Sequence, residues 1–90
     1  MKNHIYLLIE EYTDDFKNVN ACENDYKIIS AHYNSREAGT KLLYELRFQC
    51  DNDEEWNYEV KNIDDTTNCG YVFFNGELQY KIILKEIEIN

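Results

Sequence analysis

Apolar residues along this chain follow two rhythms, and each change of rhythm marks an element. His4 to Tyr12 (HIYLLIEEY) is rich in β-branched and aromatic residues and too short for a buried helix, which predicts a strand. Residues 13–25 (TDDFKNVNACEND) have the composition of a loop. Tyr26 to Tyr33 (YKIISAHY) predicts a second strand, with Tyr26, Ile28 and Ser30 on one face and Ile29, Ala31 and Tyr33 on the other. The rhythm then changes. Asn34 is a good N-cap and Glu37 lies three residues on, the spacing of a capping box. Ala38, Leu42, Leu46 and Cys50 recur every fourth residue with Leu43 beside them, an apolar stripe along one helix face. Arg36, Lys41, Glu45 and Arg47 are left for solvent, and Asp51 and Asn52 end the helix.

Alternation returns from Trp56 to Ile63 (WNYEVKNI), with Trp56, Tyr58 and Val60 on one face and Asn57, Glu59 and Lys61 on the other. Residues 64–70 (DDTTNCG) read as a polar turn. Tyr71 to Phe74, Asn75-Gly76, and Glu77 to Ile89 then form the strongest local signal, because Asn-Gly favours the left-handed backbone of a type I′ hairpin turn. A two-residue loop would pair Phe73 with Leu78 and Tyr71 with Tyr80, placing these on one face with Ile82 and Leu84. After Lys85 the apolar positions move to Ile87 and Ile89, which predicts a bulge or bend there. The order strand, strand, helix, strand, strand, strand implies an α+β fold. An antiparallel sheet of four to five strands carries one helix packed on one face.

Ninety residues support one domain, residues 1–90, with one compact core. An apolar fraction of 43% supplies that core and argues against disorder. Proline is absent and glycine occurs three times, so no flexible or Pro-rich linker is present. Cys22, Cys50 and Cys69 are too widely spaced for a metal or redox pair, which suits reduced thiols in a cytoplasm. The aliphatic run Ile5–Ile9 is far short of a membrane span or signal-peptide core.

Charge changes the picture most. The net charge of −9 disfavours nucleic acid and anionic membranes as direct partners and favours a basic protein surface. Glu10, Glu11, Asp14, Asp15, Glu23 and Asp25 stand against Lys17, a net of −5. Asp51, Asp53, Glu54, Glu55, Glu59, Asp64 and Asp65 stand against Lys61, a net of −6. One reading is that exposed loops are simply where charges are easily solvated. The sharper reading is that both stretches form one negative surface able to engage the Lys and Arg that would grip phosphates. Trp56 and Tyr58 would then be its apolar anchors, or else core-facing strand residues.

Motif chemistry is sparse. Gly39, Gly70 and Gly76 are isolated, so no phosphate loop exists. Asp51, Asp53 and Glu55 begin like a calcium loop, but Trp56 occupies the place of its turn glycine and Asn62 that of its bidentate Glu. His4 and His32 have no ligand at zinc-motif spacing. The residues predict neither an enzyme nor a cofactor.

His4–Asp15, Tyr26–Leu46 (YKIISAHYNSREAGTKLLYEL) and Tyr80–Asn90 (YKIILKEIEIN) together resemble a group of small phage and bacterial β-β-α-β proteins. The likeness covers about half the chain; residues 51–79 depart from it by adding an acidic strand and a hairpin. It implies a fold and no catalytic residues. In composition the chain is also similar to phage-encoded inhibitors of host defence, of which anti-CRISPR proteins are one kind and several act as nucleic-acid mimics. That likeness implies a non-enzymatic inhibitor of a host nucleic-acid-handling complex, acting in the host cytoplasm. Its partner-binding residues would be Asp14, Asp15, Asp51, Asp53, Glu54, Glu55, Trp56, Asp64 and Asp65. The alternative is a self-associating module, a homodimer through the uncovered face or edge of its sheet. Val72 and Phe74 opposite Phe73, and Ile83 opposite Ile82, would leave apolar surface to bury.

Overall fold

A computed structural model describes residues 3–89. Among these residues, five strands and two helices follow one another as β1 (Asn3–Tyr12), α1 (Asp14–Asn20), β2 (Tyr26–His32), α2 (Ser35–Cys50), β3 (Trp56–Asp64), β4 (Thr67–Phe74) and β5 (Glu77–Ile89). The fold is α+β. The strands form one sheet in the order β2-β1-β5-β4-β3, with every neighbouring pair antiparallel. No helix among the described residues is long and apolar enough to cross a membrane.

Helix α2 lies across the sheet and touches every strand. The Asn34 side chain accepts hydrogen bonds from the backbone N–H groups of Arg36 (2.8 Å) and Glu37 (3.3 Å), satisfying two orphan donors of the first turn. Its stripe Ala38, Leu42, Leu46 and Cys50 is buried against Leu8 of β1, Val72 of β4 and Tyr80, Ile82 and Leu84 of β5. Each fully buried aliphatic side chain here contributes about 1.5–3 kcal/mol of transfer free energy.

Several expectations need correction. The stretch expected to be a loop, residues 13–25, contains helix α1. Thr13 caps it, and Phe16 is its one apolar anchor, stacked on Tyr12 at 5.2 Å between centroids and edge-on to Tyr80 at 5.3 Å. A single anchor leaves no periodic trace. The polar turn expected at 64–70 is shorter, because Thr67 and Asn68 already pair with Lys85 and Leu84 of β5. Backbone pairing at a sheet's interior tolerates polar side chains that composition alone assigns to turns.

The hairpin carries the most consequential difference. Asn75 (φ 49°) and Gly76 (φ 82°) make the expected left-handed turn, and Phe73 does face Leu78. A register shift between Val72 and Phe73 then pairs Val72 with Tyr80 and Tyr71 with Lys81. One residue of slip moves a side-chain set to the opposite face. Val72, Tyr80, Ile82 and Leu84 therefore face α2, while Tyr71, Phe73 and Leu78 face away. No bulge follows Lys85: β1 and β5 stay in register from Asn3–Ile89 to Tyr12–Tyr80. Ile87 and Ile89 continue the alternation of Ile83 on the face turned from the helix. In β2 a shift between Leu8 and Ile9 of its partner separates Ile28 from Ile29, so the simple two-face assignment of that strand breaks there.

Candidate functional site

Strand direction decides where the acidic stretches meet. β1 ends, and β2, β3 and β5 begin, at the same end of the sheet, and the β4–β5 turn lies there too. Backbone hydrogen bonds stitch these segments together. Thr13 N–H donates to the Gln79 carbonyl at 3.1 Å, Tyr12 N–H to that of Asp25 at 2.9 Å, and Asn75 N–H to that of Glu55 at 2.8 Å. Asp14 and Asp15 occupy the first turn of α1, where the helix dipole favours carboxylates. Asp51, Asp53, Glu54 and Glu55 fill the α2–β3 connection. The Asp53 side chain accepts from Glu55 N–H at 3.0 Å, and the Asp53 carbonyl accepts from Trp56 N–H at 3.1 Å, which fixes that loop.

Six of the eight acidic residues singled out from the sequence thus share one end of the molecule. Glu23, Asp25 and Glu77 join them, and all nine are exposed. Lys17 is held by Asp25, and Arg47 stands on the last turn of α2. From β1 to β3, the strands that frame the six, the sheet crosses three interstrand intervals, about 14 Å. Among the described residues no group of three His, Cys, Asp or Glu side chains converges as a metal site would. The carboxylates are spread along a rim rather than gathered around a point.

Asp64 and Asp65 are not part of this end. They sit at the far end of β3, about 26 Å from its start. Asp64 serves its own turn, accepting from Thr66 N–H at 2.8 Å and from the Thr66 hydroxyl at 3.0 Å. Those hydrogen bonds hold its carboxyl below the usual range. Trp56 opens β3 at the acidic end but is half-buried on the helix side, 5.0 Å from the Phe74 ring and packed against the core. Glu10 and Glu11 also leave the acidic display. Glu11 pairs with Lys81 at 3.5 Å on the face away from α2. Glu10 points to the helix side, where burial pushes its carboxyl up, Glu45 adds to the rise, and Lys27 opposes it.

Two features escaped the sequence reading. Glu77 is a lone acid after the Asn-Gly turn and reaches the rim only because the hairpin ends there. The outer side of α2 exposes Tyr44 and Phe48, the latter at 75%, with ring centroids 6.1 Å apart and Lys41 5.1 Å above Tyr44. Their four-residue spacing was a visible signal, masked by the stronger buried stripe. The thiols of Cys50 and Cys69 are raised by burial, so both stay protonated and poorly nucleophilic.

No known protein family matches this chain, and no curated protein or solved structure shows significant similarity to it. The geometry of the acidic end therefore stands as the principal guide to function.

Proposed function

We propose that this is a non-enzymatic binding protein that docks its acidic end onto a basic protein surface. The specific form of the proposal is an anti-CRISPR-like inhibitor, carried by a phage or mobile element and acting in the host cytoplasm. It would occupy the Lys and Arg side chains with which a host complex grips nucleic acid. One observation carries the reading: two acidic stretches far apart in sequence arrive at the same end of the sheet. There Asp14, Asp15, Asp51, Asp53, Glu54 and Glu55 line a rim framed by β1 and β3, about 14 Å apart. Dispersed carboxylates on ordered backbone suit multipoint charge pairing with a groove, and such pairing speeds encounter more than it slows release.

The test is affinity capture of the tagged protein from bacterial lysate at low and high salt, beside an Asp53→Asn/Glu54→Gln/Glu55→Gln variant. Captured complexes are then challenged with duplex DNA. The expected result is a nucleic-acid-binding complex held at low salt, displaced by DNA and lost in the variant. Capture indifferent to salt, to DNA and to the three amides would refute the proposal.

A further inference from the structure

The face of the sheet turned from α2 has no layer upon it among the described residues. Both helices lie on the other side, α2 by its stripe and α1 through Phe16 against Tyr12 and Tyr80. Register places Ile5, Leu7 and Ile9 of β1 beside Ile83 and Ile87 of β5, with Phe73 of β4 toward the hairpin end. Ile87, near the end of the middle strand β5, is 38% exposed, and Ile28 on the edge strand β2 is 56% exposed. Alternating strands normally leave their wet face polar. This one is apolar at its centre.

The charges on it are few and already engaged. Lys81 meets Glu11 at 3.5 Å and Lys61 meets Glu59 at 4.0 Å. Lys85 turns its ammonium to the hydroxyls of Thr66 (3.2 Å) and Thr67 (2.9 Å), leaving its stem along the sheet. A covering surface must then be apolar and nearly neutral. A basic partner of the kind proposed for the acidic end does not match it.

We infer that this face is covered by the same face of a second copy of the chain, in a two-fold sheet-on-sheet dimer. The area supports it. Five strands spaced about 4.8 Å, over about eight paired residues of about 3.3 Å each, give about 600 Å² per copy. The pair buries about 1,200 Å², where standard stable interfaces begin. Two such sheets pack about 10 Å apart with interdigitating side chains, and a two-fold axis makes the patch its own complement. The net charge of −9 does not oppose this. With strands of the two copies running antiparallel, the acidic rims lie at opposite ends of an assembly whose single copy already extends 45 Å. That is several Debye lengths at physiological salt.

Sedimentation equilibrium of the whole chain tests the inference. Wild type is expected at twice the 10.8 kDa chain mass. An Ile28→Lys/Ile87→Lys variant is expected at the single mass with unchanged circular dichroism, since both side chains are already exposed in the single copy, and with a melting temperature that, unlike the wild type's, does not depend on protein concentration. The Asp53→Asn/Glu54→Gln/Glu55→Gln variant should remain dimeric, which separates this inference from the fate of the acidic end. Isotope-filtered NOEs between labelled and unlabelled wild-type copies should connect Ile9 and Ile83 across the interface. A wild type that stays at the single mass overturns the inference. So does a dimer that survives the double lysine variant, because it would pair through an edge strand instead.

Discussion

Gly70 offers the sharpest check on how α2 meets the sheet. It lies in the middle of β4, paired with Val60 of β3 and Ile82 of β5, directly beneath Leu46. A Cβ placed there would stand 2.7 Å from Leu46 Cδ1 and 2.9 Å from Cδ2. Carbon atoms in good contact sit about 3.5–4.0 Å apart, so something must move by roughly an ångström. Leu46 is fully buried and has little room to move. Gly70→Ala gains about 0.5–1 kcal/mol from lower unfolded-state entropy and loses about 1–3 kcal/mol to overpacking. The net expectation is a loss of up to about 2.5 kcal/mol, centred near 1 kcal/mol, which is roughly 4–8 °C in Tm for a domain of this size. Leu46→Ala alone should cost about 3–5 kcal/mol through the cavity it leaves. In the double variant the new methyl enters that cavity, so the combined loss should fall short of the sum by about 1–3 kcal/mol. Urea unfolding followed by circular dichroism supplies all four corners of the cycle. Strict additivity in the double variant would mean that α2 does not sit over β4 as described.

Two further expectations concern local devices. The Thr13 hydroxyl accepts from Phe16 N–H at 3.2 Å and donates to the Gln79 carbonyl at 2.9 Å, so it both caps α1 and ties it to the sheet. Thr13→Ala should cost about 1–2 kcal/mol and speed hydrogen exchange in α1 before the sheet; unchanged exchange at Phe16 and Lys17 would contradict that role. Glu10 is held above the ordinary carboxylate value chiefly by burial, so between its unfolded value of about 4.3 and its raised folded value the native state binds more protons than the unfolded one. Stability therefore falls as pH rises through that window, and Glu10→Gln should be more stable than wild type at neutral pH. The gap should close on acidification below the unfolded value, and a pH-independent gap in melting temperature would refute the assignment.

Elements with a local cause could be read from the residues directly. Asn34 followed by Ala38, Leu42, Leu46 and Cys50 specifies α2 because cap and stripe act within a few turns of one another. Asn75-Gly76 specifies the hairpin because its backbone needs are met by those two residues alone. Helix α1 was not readable, since Phe16 becomes an anchor only once Tyr12 and Tyr80 are side by side. The acidic stretches were visible as runs of charge, but Asp64 and Asp65 parted from the rest for a reason absent from any run: strand β3 carries them to the other end of the sheet.

A period of two states that successive side chains lie on opposite faces, and never which face is covered. The slip between Val72 and Phe73 shows why. Local preference supports the turn whether or not an extra residue follows it. Burying Tyr80, Ile82 and Leu84 beneath the α2 stripe requires the extra residue. Composition and local pattern by themselves determined an acidic α+β chain, its principal helix and its hairpin turn. The tertiary structure alone decided which face α2 covers, which apolar face stays open, and which carboxylates gather at one end. Those outcomes depend on burial between residues distant in sequence, and that energy exists only after the strands have paired.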